Sequence, residues 1–313
     1  MLLSRVADHV YWGARYLERA EDTARVVQAF TDLILDLPMG VVSSWEPLLA
    51  IAGSRELYDA GHARVDESDI VRFLVADESN LGSVVSSIAQ ARENLRTARE
   101  VLPREAWQAV NDLYLFSDRD REAGVDRRSR VRFLNRVVSE ARRLDGVLSA
   151  SMRRDEAYEL WRLGQAIERA DMTTRVLGVR AASLLAADVA DAGYDDFDEV
   201  QWMGVLRSLT ALQMYQRSHR GPIDSASVVQ FLLFDQSFPR SVAGAANQIR
   251  GALERLPRGE STLPAVDALA HELASVTEVW DDGRALDSAM DRLQLALAGV
   301  NDAVHAAFVR GVV

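Results

Sequence analysis

The stretch Leu17-Glu18-Arg19-Ala20-Glu21-Asp22-Thr23-Ala24-Arg25-Val26 returns 150 positions later as Ile167-Glu168-Arg169-Ala170-Asp171-Met172-Thr173-Thr174-Arg175-Val176. The shared pattern is Leu/Ile-Glu-Arg-Ala-Glu/Asp-x-Thr-x-Arg-Val. A repeat maintained only by packing would let its polar positions drift, whereas this one keeps Glu, Arg, Thr and Arg. On a helix, Glu18, Glu21, Asp22 and Arg25 fall at i, i+3, i+4 and i+7 and share one face. Glu168, Asp171 and Arg175 do the same. Leu17, Ala20, Ala24 and Val27 take another face, which packs inward. The small Ala20 and Ala170 permit two such helices to approach closely. The chain is therefore expected to hold two long helices with matched polar faces.

Helical period runs through almost every other long segment, and no segment alternates as a strand does. Ser4 caps a first helix running to about Asp36, stopped by Leu37-Pro38-Met39-Gly40. Shorter helices are expected at Trp45–Ala52 and Glu67–Ala76, then longer ones at Leu81–Leu102 and Arg104–Phe116. A charged turn, Ser117–Asp126, leads into a helix from Arg127 to Met152. The second half opens with Asp155–Leu185, followed by an acidic loop, Asp191–Asp198, and a helix Glu199–Arg217. Asp224 caps Ala226–Phe234, and Pro239 takes the first turn of a helix to about Leu256. Pro264–Trp280 and Ala285–Val309 complete an all-α composite bundle of roughly ten helices. The expected organisation is a single domain over residues 1–313, with pseudo-repeat halves 1–152 and 153–313. Outside the phrase the halves show little similarity, beyond Trp12 and Trp161 each lying upstream of its Glu.

Composition removes several chemistries. The chain has no cysteine, which excludes thiolate catalysis, disulfides and sulfur-ligated metals. It has no lysine either, so all 36 basic residues are arginines and neither a Schiff base nor a Walker lysine is available. A net charge of −11 argues against nucleic acid or an anionic membrane as partner. No apolar run is long enough to span a bilayer, and the first residues lack a signal-peptide pattern, so the cytoplasm is the expected location. The five histidines, His9, His62, His219, His271 and His305, form no zinc-binding spacing, and no nucleotide loop or hydrolase elbow occurs. No cofactor and no metal is expected.

Two readings of the phrase stand side by side. In one, Glu21–Arg25 and Asp171–Arg175 pair along their own helices while Glu18 and Glu168 reach arginines of the other copy, a register-fixing lattice. In the other, Glu18 and Glu168 are the candidate catalytic acid/base groups or cation ligands, with Arg19, Arg25, Arg169 and Arg175 clamping an anion. A carboxylate-bridged di-metal centre would need Glu-x-x-His, which neither copy has. Glu21, Thr23, Asp171 and Thr173 serve as structural motif positions in either case. A second segment, Phe231-Leu232-Leu233-Phe234-Asp235 followed by Phe238-Pro239-Arg240-Ser241-Val242, places Arg240 and Ser241 in the first turn of a helix, where N–H groups favour anions. Arg207 or Arg220 is expected to join them in holding a carboxylate or phosphate, with Pro239 as a structural corner.

These stretches, with Leu3 to Arg25, Gly164 to Arg175, Leu206-Arg207-Ser208 and Tyr215, resemble the bacterial alpha-E domain family over essentially the whole chain. The resemblance implies an all-helical fold and genomic company with a circularly permuted ATP-grasp protein, often with a transglutaminase-like protease. It further implies service in a peptide or amide ligation system, as a non-catalytic partner that binds the ligase or its acceptor. The alternative is an enzyme acting on an anionic peptide or a phosphate-containing substrate. The family's motif extends to Glu18, Arg19, Glu168, Arg169 and the Pro239-Arg240-Ser241 corner, without assigned catalytic roles.

Overall fold

A computed structural model describes residues 2–36, 44–62, 64–187, 198–276 and 283–309. The first half contains α1 (Ser4–Asp36), α2 (Pro47–Ile51), α3 (Arg55–Gly61), α4 (Glu67–Val75), α5 (Val84–Thr97), α6 (Arg104–Arg119), α7 (Arg121–Val125) and α8 (Arg130–Ser151). The second half contains α9 (Glu156–Ala187), α10 (Asp198–Ser208), α11 (Leu212–Ser218), α12 (Ser225–Phe234), α13 (Val242–Leu253), α14 (Leu263–Ala274) and α15 (Gly283–Val304). The fold is all-α, with fifteen α-helices rather than roughly ten among the described residues. The expected stop at residues 37–40 and most of the acidic loop fall outside the described residues.

The undercount has local causes. The span Glu199–Arg217 is two helices, broken where Thr210 takes a left-handed φ of 56°. The turn Ser117–Asp126 is mostly helical, shared by α6 and α7. Helix α5 starts at Val84, not at Leu81, because the Ser83 hydroxyl accepts the Ser86 N–H as its cap. Pro239 likewise lies before its helix. Ser241 is the N-cap of α13, and its hydroxyl accepts the Gly244 N–H at 2.9 Å.

The repeat reaches much further than the decapeptide, contrary to the impression that the halves are otherwise unlike. Trp45, Tyr58 and His62 recur as Trp202, Tyr215 and His219 at one constant spacing. Asp66, Phe73, Leu74, Asp77, Ser79, Ser83 and Val84 recur as Asp224, Phe231, Leu232, Asp235, Ser237, Ser241 and Val242, shifted by one further residue. The structures correspond. Tyr58 stacks on His62 and Tyr215 on His219, each pair within 4° of parallel, with Phe73 or Phe231 edge-on to both rings. Asp66 and Asp224 both cap their helices, each accepting an N–H at 2.9 Å. Gly53, φ 62°, stands where the other half has Thr210. Helix for helix, α1 to α6 and α8 match α9 to α14 and α15.

At the centre α1 and α9 run parallel. Cross-helix bonds join residues 147 to 154 positions apart all along the seam, from Leu2 with Glu156 to Glu18 with Arg169. Parallel helices place like dipole ends together, so packing and side-chain charge must hold them. Close approach is set by Gly164, where an added Cβ would lie 2.6 Å from the Tyr11 carbonyl oxygen and 3.0 Å from the Ala14 methyl. Gly164→Ala is expected to destabilise by about 1–3 kcal/mol through overpacking. Gly146 lies in α8 with nothing within 4 Å of such a Cβ, so Gly146→Ala should stabilise by about 0.5–1 kcal/mol. Urea midpoints moving in opposite directions at unchanged m establish the contrast; a shared sign refutes it.

Candidate functional site: a buried arginine–carboxylate lattice

The polar faces of the repeated phrase meet across the α1–α9 seam, and they do so reciprocally. Arg169 grips Glu18 with two bonds of 2.9 Å. Arg19 grips Glu168 in the same way, at 2.6 and 3.1 Å. Each carboxylate then takes a second arginine, and here the symmetry fails. Glu18 accepts from Arg240 at 2.6 Å, whereas Glu168 accepts from Arg15 at 2.7 Å. The residue matching Arg240 in the first half is Gly82, and the residue matching Arg15 in the second is Gln165, whose amide donates to Glu18 at 3.4 Å. Arg15 lies one helical turn before Arg19, so period alone could have flagged it.

Arg240 links Glu18 to the rest of an acidic patch. Its guanidinium donates to Asp22 at 2.7 Å and lies 3.4 Å from Glu21. Arg25 pairs with Asp22 and Glu21 and donates to the Ser208 carbonyl at the end of α10. Arg142 of α8 reaches Glu21 at 3.0 Å and the Thr210 hydroxyl at 3.1 Å. Nothing in the sequence pointed to Arg142, because its place depends on α8 packing beside α1. The matching Arg175 pairs with Asp171 at 2.9 Å, and its Nη1 lies 2.3 Å from where a Cβ on Gly53 would stand. Thus Arg25 donates next to the left-handed turn of the second half and Arg175 lies against that of the first, which interlocks the two.

Burial decides what these groups can do. The Glu18 and Glu168 side chains are 1% and 3% exposed. Burial raises the Glu18 carboxyl, but Arg169 and Arg240 outweigh it and hold it at about 2. Burial likewise opposes Arg19 and Arg15 at Glu168, with the same result, about 2. Both are ionised, solvent-shielded and saturated with guanidinium donors. The expectation of an open acid/base pair is therefore corrected: both carboxylates are buried and held by arginines. Asp22 differs. Burial pushes it up to about 7 against the pull of Arg240 and Arg25, Glu18 and Glu21 push the same way, and its Oδ2 is buried without a partner.

The proposed anion cradle at Arg240 and Ser241 is corrected as well. The Arg240 side chain is spent on carboxylates, its carbonyl accepts from Thr173 at 2.7 Å, and the Ser241 hydroxyl caps α13. Pro239 sits in the turn that aims Arg240 inward. Thr23 is buried at the position matching Thr173. Arg207 stands apart from Arg240, on an open cleft that it shares with Arg25 and Arg142. Of the histidines near the seam, His305 accepts from Trp12 at 3.0 Å and His9 bonds Asn94 at 2.9 Å. Among the described residues no three His, Asp or Glu side chains are grouped to hold a metal ion.

Duplicated Glu-Arg pairs crossed over a helical seam match one family description, an alpha-helical domain with a conserved ER motif, whose model covers residues 2–309. The chain belongs to the Alpha-E family. Similar proteins include the uncharacterized proteins Mb2597 of Mycobacterium bovis and Rv2567 of Mycobacterium tuberculosis, each 22% identical over 327 aligned residues. The alignments cover 96% of this chain and 35% of each relative, so the chain spans about a third of the relatives' length. No solved structure matches it. No helix among the described residues is long and apolar enough to cross a membrane. In this Alpha-E domain Glu18 with Arg169 and Glu168 with Arg19 form a crossed clamp.

Proposed function

We propose that this Alpha-E domain is a non-catalytic, accessory helical module of a carboxylate–amine ligase system of the ATP-grasp type. It docks on the ligase, a circularly permuted ATP-grasp protein, and helps to hold a ligation substrate. A transglutaminase-like protease belongs to the same system, and all of it works in the cytoplasm. The observation that carries this reading is the sequestration of Glu18 and Glu168. The motif that defines the family has no carboxylate left to abstract a proton or bind a cation. An enzyme built on those two residues has the geometry against it.

Two further facts support the reading. The matching region of the mycobacterial relatives is part of a polypeptide about three times as long, the arrangement of a module that works beside another one. The net charge of −11 suits a protein partner better than a polyanion. The test is to mix the purified chain with the ATP-grasp protein encoded beside it. Co-elution at micromolar concentration and a rise in ligase turnover are expected. No complex, together with unchanged turnover, refutes the role.

A further inference from the structure

A cleft of about 540 Å3 opens between α1, α8, α10 and α11, lined by Arg25, Gln28, Asp32, Asn135, Arg142 and Arg207. That volume lies in the range of small-ligand sites, roughly 300–1,000 Å3. We propose that the cleft binds a carboxylate group on a peptide-like ligand, and that Arg142 is the residue that grips it.

The first argument is charge. Around Glu168, two arginines face one carboxylate, and the excess is taken up by ring faces. Arg15 lies 5.3 Å from the Trp12 ring centre and Arg19 5.6 Å from that of Tyr16. Around Glu18, Glu21 and Asp22 the arginines are four, namely Arg25, Arg142, Arg169 and Arg240. None of these four has a ring partner among the described residues. Asp145, which acts on Arg169, brings the acids to four as well, so the cluster balances until Asp22 takes a proton and one positive charge is left over. Asp32 and Arg207 on the cleft wall are one of each sign and leave the balance unchanged.

The second argument is access. Arg142 is the member of that cluster open to solvent, its side chain 49% exposed against 6% for Arg25, 9% for Arg240 and 17% for Arg169. Its Nε is fixed by Glu21 and its Nη2 by the Thr210 hydroxyl, while its Nη1 has no hydrogen-bond partner among the described residues. The guanidinium is thus held through two of its nitrogens on the wall of the cleft, and its planar fork suits a carboxylate.

The third argument is the rest of the wall. Gln28 and Asn135 offer amides that match peptide N–H and C=O groups, and Val138 and Met214 supply apolar surface. The charge that protonation of Asp22 releases is a single one, which fits a monoanion better than a phosphate dianion. This deepens the accessory reading by giving the held substrate a chemical class, a carboxylate-bearing peptide.

The test uses the full chain without any ligase, so its failure and a failure of ligase docking are separable. Four probes are titrated and followed by NMR: acetyl-trialanine acid, acetyl-trialanine amide, acetyl-Ala-Glu-Ala amide and inorganic phosphate. At least one carboxylate peptide is expected to bind about tenfold or more tighter than trialanine amide. Which of the two binds tells a terminal from a side-chain carboxylate. Arg142→Gln should abolish that preference with the fold intact, Arg142→Lys should retain part of it, and Arg96→Gln, remote and exposed, should change nothing. Equal binding of acid and amide, phosphate binding tighter than both acids, no binding up to about 10 mM, or an undiminished preference in Arg142→Gln each overturns the proposal.

Discussion

Glu18→Ala is expected to lower the unfolding free energy by about 3–5 kcal/mol, among the largest effects any single substitution in this chain can have. The cause is what it leaves behind. Arg169 and Arg240 both converge on Glu18, and without the carboxylate two desolvated cations face each other across the seam. Glu168→Ala should cost a similar amount, because it strands Arg15 and Arg19. The exposed pair Arg72–Glu122, with side chains 49% and 67% accessible, supplies the contrast. Removing Arg72 should change stability by less than about 1 kcal/mol. Urea unfolding at neutral pH measures all three. A loss below about 1 kcal/mol for Glu18→Ala would falsify the buried-clamp account.

Such a clamp is not a large net source of stability, because each charge also bears the cost of leaving water. Replacing the trio Arg15, Arg19 and Glu168 together by apolar residues of similar volume should therefore cost less than Glu168→Ala alone, although Asn301 then loses its bond from Arg15. What the trio specifies is register. A parallel pair of helices rich in Ala and Leu has many nearly equivalent offsets, and sliding by one turn would part Arg19 from Glu168 and Glu18 from Arg169 together. This explains a repeat that keeps its Glu and Arg while its apolar positions vary.

The decapeptide and the helical period made the two central helices legible in the sequence, and the spacing allowed crossed Glu–Arg pairing among its readings. The breaks were harder to see. Thr210 looks like an ordinary helix residue, and its left-handed turn is met from other helices by Arg142 at its hydroxyl and by Arg25 at the Ser208 carbonyl. Arg240 reads as a helix first-turn residue until Ser241 is seen to be the cap. The longer duplication was legible in principle, since Trp, Tyr, His, Asp, Phe and Ser recur in order. It is diluted by apolar drift and runs at spacings of 157 and then 158, so a fixed spacing of 150 does not find it. Arg142 carried no signal at all, because its role exists only once α8 lies against α1.

The same lattice makes stability depend on pH in two opposing directions. For Glu18 and Glu168 the folded carboxyl is held at about 2, below the ordinary 4.5, because arginine pairing outweighs burial. A lowered carboxyl binds its proton less tightly when folded. Its contribution is fully present above about 4.5 and is lost as pH falls through 2, of order 3 kcal/mol for each residue. Glu67, lowered by Arg127 and Arg130 against partial burial, adds to this acid limb. Asp22 runs the other way. Its folded carboxyl is raised by burial from 3.8 to about 7, so the protonated form is favoured in the native state. That contribution is complete below 3.8 and fades as pH rises through 7, of order 4 kcal/mol. Stability should therefore peak near pH 4 to 5 and decline toward pH 8, instead of rising to a neutral plateau. Asp22→Asn, which mimics the protonated acid, is expected to flatten the neutral limb while leaving the acid limb in place. Glu18→Gln should instead shallow the acid limb. Urea midpoints measured from about pH 3 to pH 8 on the three proteins decide the matter. If the parent and Asp22→Asn trace superimposable curves above pH 5, the unpartnered Asp22 oxygen carries no proton, and the neutral limb has another origin.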